Sequence, residues 1–190
     1  MVGNRIGLLS VVGSATPPGR LRRAVEEALA RVGERDARLI DLADVRVAPA
    51  DGRPPAQLGD DTADVLAAIA AADAVVLATP VYRGSLTGVL KNLLDHVPVA
   101  ALEGKPVGIV AMGATPHHFL GAERHLRDVL AFFGALVAPV AVYLTSADFA
   151  DGAPTAAAGQ DLDALLANVA ALAAATGEVP RGGPRPLPWR

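Results

Sequence analysis

With 190 residues, 52% of them hydrophobic, the chain has enough material for one domain with a sizeable core and too little for two ordinary ones. Its formal charge is −3 and its 17 basic residues are spread along the chain, which argues against a nucleic-acid partner. The absence of cysteine removes disulfides, thiolate metal sites and cysteine nucleophiles together.

Met1 to Asn4 lack the charged region, apolar segment and small-residue cleavage site of a secretory signal. No apolar run approaches the roughly 18 to 20 residues of a membrane span. The expectation is a soluble cytoplasmic protein with no membrane partner.

Arg5 to Val12 reads as a near-continuous apolar strand, the pattern of a strand covered on both faces. The loop Gly13-Ser14-Ala15-Thr16-Pro17-Pro18-Gly19-Arg20 follows, and from Leu21 apolar residues recur at 25, 28, 29 and 32 on one helical face. Ala37 to Asp41 is a second, weaker strand. Val45 to Gly59 is an irregular excursion longer than usual in α/β folds, which either closes over a ligand or simply wanders, with the second reading preferred. Asp60 to Ala71 is a helix whose acidic first turn suits the positive end of its dipole.

The third unit organises the rest. A valine-rich run from Ala74 breaks at Thr79-Pro80, glycines stand at 84 and 88, and Leu86, Val89, Leu90, Leu93 and Leu94 resume as a helix to His96. Pro106 to Ala111 forms the fourth strand and Met112 to Pro116 a loop. Phe119, Ala122, Leu126, Val129, Leu130 and Phe133 trace the next helical stripe. Leu136 to Tyr143 is the fifth strand, with Pro139 marking an edge or an irregularity. A last helix spans Asp161 to Thr176, and residues 177–190, with Pro180, Pro184, Pro186 and Pro188, form a tail beyond a single domain of residues 1–176.

Strands and helices in alternation predict an α/β three-layer sandwich around a five-stranded parallel sheet, of flavodoxin-like order 2-1-3-4-5. In that order ligands sit where strands one and three diverge, so the loop after Val12 comes to lie beside the loop after Ala78.

Several chemistries can be set aside. Gly13 is followed by no further glycine until Gly19, so the dinucleotide Gly-x-Gly-x-x-Gly loop is missing, and no Gly-Lys-Ser/Thr is present. Ser85 adjoins Gly84 rather than standing one residue away, so the nucleophile elbow does not fit. His118 and His125 are about 10.5 Å apart along a helix, too far to share an ion, and the adjacent His117 and His118 point apart, so no metal is expected. The first loop, by contrast, can hold a phosphate on helix N-terminal N–H groups, with Ser14, Thr16 and Arg20 as further donors, although capping residues give the same local pattern.

The stretch Thr79-Pro80-Val81-Tyr82-Arg83-Gly84-Ser85-Leu86-Thr87-Gly88-Val89-Leu90-Lys91-Asn92-Leu93-Leu94-Asp95 resembles the central motif of NADPH-dependent FMN reductases, in particular those serving two-component alkanesulfonate-type monooxygenases. Gly13-Ser14 and Gly113-Ala114-Thr115-Pro116-His117-His118-Phe119-Leu120 are similar to two further family motifs, the second written Gly-Gly-Thr-x-x-His-Leu-Leu. The resemblance runs from Arg5 to Tyr143. It implies FMN and NADPH or NADH as cofactors, with the phosphate of FMN over Ser14, Thr16, Gly19, Arg20 and Leu21. The flavin ring would lie on Pro80, Val81, Tyr82, Arg83, Gly84 and Ser85, near Gly113, Ala114 and His118. No acid–base side chain is required, since the cofactor carries the hydride chemistry.

The resemblance further implies a flavin-dependent monooxygenase as partner and a homodimer or homotetramer built through the apolar helices Leu86 to His96 and Phe119 to Phe133. Two alternatives stay open: a reductase that retains FMN and serves quinone, azo or other acceptors, and a flavodoxin-fold binding protein with weakened flavin binding. The second follows from Gly19-Arg20-Leu21, where the family commonly shows Ser-Arg-Ser/Thr. Arg124-His125 likewise replaces an aromatic residue that some relatives carry.

Overall fold

Strand β1 (Gly7–Val12) shows how the layers arise. Its Leu8 and Val12 belong to one apolar cluster, and Leu9 and Val11 to another on the opposite face, because successive strand residues point to opposite sides. The same alternation recurs in β3 (Ala74–Pro80), with Ala74, Val76 and Ala78 on the first face and Val75 and Leu77 on the second. The computed structural model describes residues 6–16, 19–32 and 36–176.

Helices α1 (Arg20–Arg31) and α6 (Ala156–Thr176) cover the first face. Helices α2 (Thr62–Ala71), α3 (Gly88–His96), the one-turn α4 (Val99–Leu102) and α5 (Phe119–Phe133) cover the second. Strands β2 (Asp36–Asp41) and β4 (Pro106–Met112) complete the central sheet, whose order is β2-β1-β3-β4 followed by the fifth strand position, all parallel. The predicted order 2-1-3-4-5 is therefore the observed one. At Gly108 a Cβ would lie 2.9 Å from Val169, so glycine lets α6 seat closely on β4.

The fifth strand departs from expectation. Leu136 to Tyr143 is not one strand but two, β5 (Leu136–Val137) and β6 (Val142–Leu144), each pairing with a different part of β4. Ala138 still donates to the Val107 carbonyl at 2.8 Å, but Pro139 has no N–H to continue the ladder. Helix α6 begins at Ala156, ahead of the predicted Asp161, because the Thr155 hydroxyl accepts from the Ala158 amide and closes the first turn earlier. A small antiparallel hairpin, β7 (Phe149–Ala150) with β8 (Ala153–Pro154), precedes it.

The excursion at 45–59 is strapped down. The Ala48 carbonyl accepts from Asn92 Nδ2 and His96 Nε2 on α3, both at 2.9 Å, and the Ala50 amide donates back to Asn92 Oδ1. The Asp60 and Asp61 carboxylates take the amides of Ala48 and Arg46. Among the described residues no helix is long and apolar enough to cross a membrane. The predicted tail at 177–190 and the start of the chain lie outside the described residues.

Candidate functional site

The carboxyl ends of β1 and β3 are joined directly, the Gly13 amide donating to the Ala78 carbonyl at 2.7 Å. Thr87, the N-cap of α3, ties both to the helix behind them. Its hydroxyl donates to the Gly13 carbonyl at 2.6 Å and accepts from the Leu90 amide, while its own amide donates to Thr79 Oγ at 3.1 Å. A Cβ on Gly13 would lie 2.7 Å from Leu90 Cβ and 3.2 Å from Thr87 Oγ, so only glycine lets this loop approach α3.

Beyond Gly13 the first loop emerges from the core. Ser14 is buried, whereas Ala15, Thr16, Gly19 and Arg20 are exposed. Gly19 is the N-cap of α1 and makes no side-chain cap, so the amides at the start of the helix are not claimed by a capping oxygen. Among the described residues nothing lies within 4 Å of the position a Gly19 Cβ would take. The Arg20 guanidinium sits 5.2 Å from the ring centre of Phe149 in the β7–β8 hairpin. Leu21 is only 3% exposed and packs in the α1–α6 core, so its amide alone can face the loop. The apolar stripe Leu21, Val25, Ala28 and Leu29 that makes α1 pack on the sheet turns that side chain inward.

The second loop is a tight hairpin turn. Val81 extends β3 by donating to the Met112 carbonyl, and Tyr82 and Ser85 then exchange amide-to-carbonyl hydrogen bonds at 3.0 and 3.1 Å. Arg83 and Gly84 have φ values of 54 and 76, the pair of left-handed residues that a two-residue type I′ turn requires. Tyr82 is 53% exposed and Arg83 is also exposed, so the tip stands clear of the body. Helix α5 approaches from behind: a Cβ on Gly121 would lie 2.4 Å from the Gly84 carbonyl oxygen, and His125 Nδ1 is 2.8 Å from Ser85 Oγ.

The third loop follows β4. Gly113 donates to the Leu144 carbonyl at 2.9 Å, and the place its Cβ would fill is held by the Tyr143 hydroxyl. Any larger residue here would have to displace the Tyr143 ring from this place. That hydroxyl donates to the Thr115 carbonyl at 2.8 Å, and burial pushes it up from the ordinary 10.0, which keeps it a proton donor. The Tyr143 ring meets Phe119 edge to face at 6.4 Å. Ala114 is exposed, and so is His118, which forms the N-cap of α5 without a side-chain cap.

The sheet order therefore brings Ser14, Thr16, Gly19 and Arg20, the Pro80 to Ser85 turn and Gly113-Ala114 to the carboxyl ends of β1, β3 and β4. Leu21 joins them through its backbone. Sequence reasoning missed what stands behind: Thr87, Gly121, His125 and Tyr143. Of these only Thr87 carries a local signal, a hydroxyl residue immediately before the apolar repeat of a helix.

This sheet order, with three loops at the carboxyl edge, defines a flavodoxin-like protein. The fold is shared with a solved NADH:FMN oxidoreductase (EMOB) in its apo form, at a TM-score of 0.72 and 23% identity over 96% of this chain and 97% of that one. The family model for NADPH-dependent FMN reductase matches residues 6–149, and the chain belongs to that family of oxidoreductases.

Among relatives, an FMN reductase (NADPH) of Pseudomonas aeruginosa is 36% identical over 150 residues, covering 75% of this chain and 78% of the relative. An NAD(P)H-dependent FAD/FMN reductase of Geobacillus thermodenitrificans is 43% identical over 110 residues, and there the match spans 58% of this chain and 60% of the relative's length.

Proposed function

We propose that this chain oxidises NADPH or NADH and reduces FMN held at the carboxyl edge of β1, β3 and β4, and that the reduced flavin leaves for a partner monooxygenase. The observation that carries the reading is the open first turn of α1 beside the β1–β3 junction, where helix amides meet no side-chain cap. A phosphate is stabilised at such a terminus by the N–H groups and the helix dipole together. Ser14, Thr16 and Arg20 supply further donors on the same loop.

The residues present suit FMN. Among the described residues nothing stands where a Gly19 side chain would be, and Tyr82, Arg83 and Ala114 are exposed at the second and third loops, where a flat ring can reach them. Bound flavin supplies hydride acceptance and donation; the chain's own residues bind and orient. Pro80 to Ser85 give a platform for the ring, and the backbone at Gly113-Ala114 presents little bulk. No side chain is required to move a proton.

The grip on phosphate is light by this reading, since Gly19 lacks a hydroxyl and the Leu21 side chain is in the core. A light grip suits a flavin that arrives oxidised and departs reduced. The same reading includes a homo-oligomer in the cytoplasm, its subunits meeting through α3 and α5. Support comes from the groove lined by Lys91, Leu94, Asp95, Val97, Val129, Phe132 and Phe133, with Phe132 55% exposed at its rim.

The test is oxidation of NADPH and NADH by the purified, flavin-free protein, followed spectrophotometrically with and without added FMN. Saturable oxidation that appears only with FMN supports the proposal. Protein that stays yellow through purification and reduces added quinone or azo dye without free flavin favours the retained-flavin alternative. Absence of saturable flavin affinity favours the binding-protein alternative.

A further inference from the structure

Helix α5 grips the second loop at two points on one face. Gly121 meets the Gly84 carbonyl so closely that any Cβ would stand 2.4 Å from its oxygen. His125, four residues later and therefore on the same helix face, places Nδ1 2.8 Å from Ser85 Oγ. One contact holds the tip of the turn and the other holds its outgoing arm.

The turn needs such support. Two hydrogen bonds between Tyr82 and Ser85 close it, and Arg83 occupies a left-handed conformation, at φ 54, that a residue with a side chain adopts reluctantly. With Tyr82 and Arg83 both exposed, packing over the tip contributes little to its shape.

We propose that His125 is a positioning residue for the ring half of the flavin, acting through Ser85. The inference rests on the reading of this crevice as a flavin site. The imidazole fixes two things at once: the conformation of the 82–85 turn and the direction of the Ser85 hydroxyl. Where Nδ1 carries the ring proton, it donates to Oγ and leaves the serine O–H free to donate outward. Where Nδ1 is bare, the serine O–H is taken up by the ring, and Oγ offers only lone pairs to a ligand. In either tautomer a polar atom of the ring platform is set from behind by a residue that itself need not touch the flavin.

The test compares the wild type with His125→Ala, His125→Asn, Ser85→Ala and the His125→Ala/Ser85→Ala double variant. Three quantities are read: amide hydrogen exchange at Tyr82 and Ser85 in flavin-free protein, dissociation constants for FMN and for riboflavin, and kcat and KM for FMN. His125→Ala should speed exchange at both amides and weaken FMN and riboflavin by the same factor, about fivefold or more. It should raise KM more than it lowers kcat. His125→Asn, which returns a short polar side chain toward Ser85, should recover part of the affinity, and the double variant should lose less than the product of the single losses.

Unchanged exchange and unchanged affinity in His125→Ala would overturn the proposal while leaving the flavin site itself intact. A loss confined to FMN, with riboflavin unaffected, would also overturn it by placing the effect at the phosphate. If the wild type bound neither flavin while exchange rose as expected, the functional reading would fall, and with it the flavin role of His125; only the clamp on the turn would survive.

Discussion

The Thr87 hydroxyl donates to the Gly13 carbonyl at 2.6 Å across 74 residues of sequence. This contact locks the loop after β1 to the N-terminus of α3 and so fixes the spacing between the proposed phosphate and ring halves of the site. The same oxygen caps α3 by accepting from Leu90, and the Thr87 side chain lies among buried neighbours.

Thr87→Val keeps the shape and removes both bonds. Loss of the cap and of a buried hydrogen bond, which leaves the Gly13 carbonyl without this donor, should cost about 2 to 3 kcal/mol. Urea unfolding monitored by circular dichroism measures it. A variant as stable as the wild type would show that the Gly13–Thr87 bond is replaced by water at no cost.

The phosphate loop separates two substitutions that the family pattern treats alike. Gly19→Ser, at the N-cap of α1 where no described atom crowds a Cβ, should tighten FMN by about tenfold or more, because a hydrogen bond to a charged partner contributes about 1.5 to 3 kcal/mol. Leu21→Thr instead removes a core side chain and buries a hydroxyl, and should cost about 2 to 4 kcal/mol of stability with little gain in affinity. Calorimetric titration of FMN and riboflavin against each variant, beside their unfolding curves, tests both. Riboflavin should gain nothing from Gly19→Ser.

Asp41, at the carboxyl end of β2, has a fully enclosed side chain whose Oδ2 meets no hydrogen-bond donor among the described residues and lies 3.6 Å from Arg22 Nη1. Burial pushes its carboxyl above the ordinary 3.8, against the lowering influence of the Ala43 amide and of Arg22. A raised folded value means that the folded state binds the proton more tightly. The contribution of this group is therefore complete below 3.8 and is lost as pH rises through the folded value. Asp41→Asn cannot ionise, so the stability of the wild type relative to the variant should fall as pH rises from 3.8 toward neutrality. Denaturation midpoints across that range check it, and a pH-independent difference would contradict it.

Much of this architecture is legible in the sequence because both faces of the central strands are covered, which writes β1, β3 and β4 as apolar runs. The three loops follow from topology, since the carboxyl ends of adjacent strands must lie together. Other features had local signals that periodicity alone passes over. Asp151-Gly152, with φ values of 49 and 76, is the type I′ pair of the β7–β8 hairpin, and Thr155 marks the true start of α6. What could not be read is the support behind the loops. His125 reaches Ser85 across 40 residues and Tyr143 reaches Thr115 across 28, and no local pattern announces a partner that only the folded chain brings near. The sequence also cannot say that Leu21 points inward until α1 has been docked on the sheet.

The central claim is the place of the flavin, and titrating FMN into isotopically labelled protein while following backbone amide chemical shifts tests it most directly. The account predicts shifts concentrated at Ser14, Gly19 to Arg22, Tyr82 to Ser85 and Gly113 to Thr115, with riboflavin reproducing the last two groups but not the first. Shifts concentrated instead along the α3–α5 groove around Phe132, with those three loops undisturbed, would contradict it.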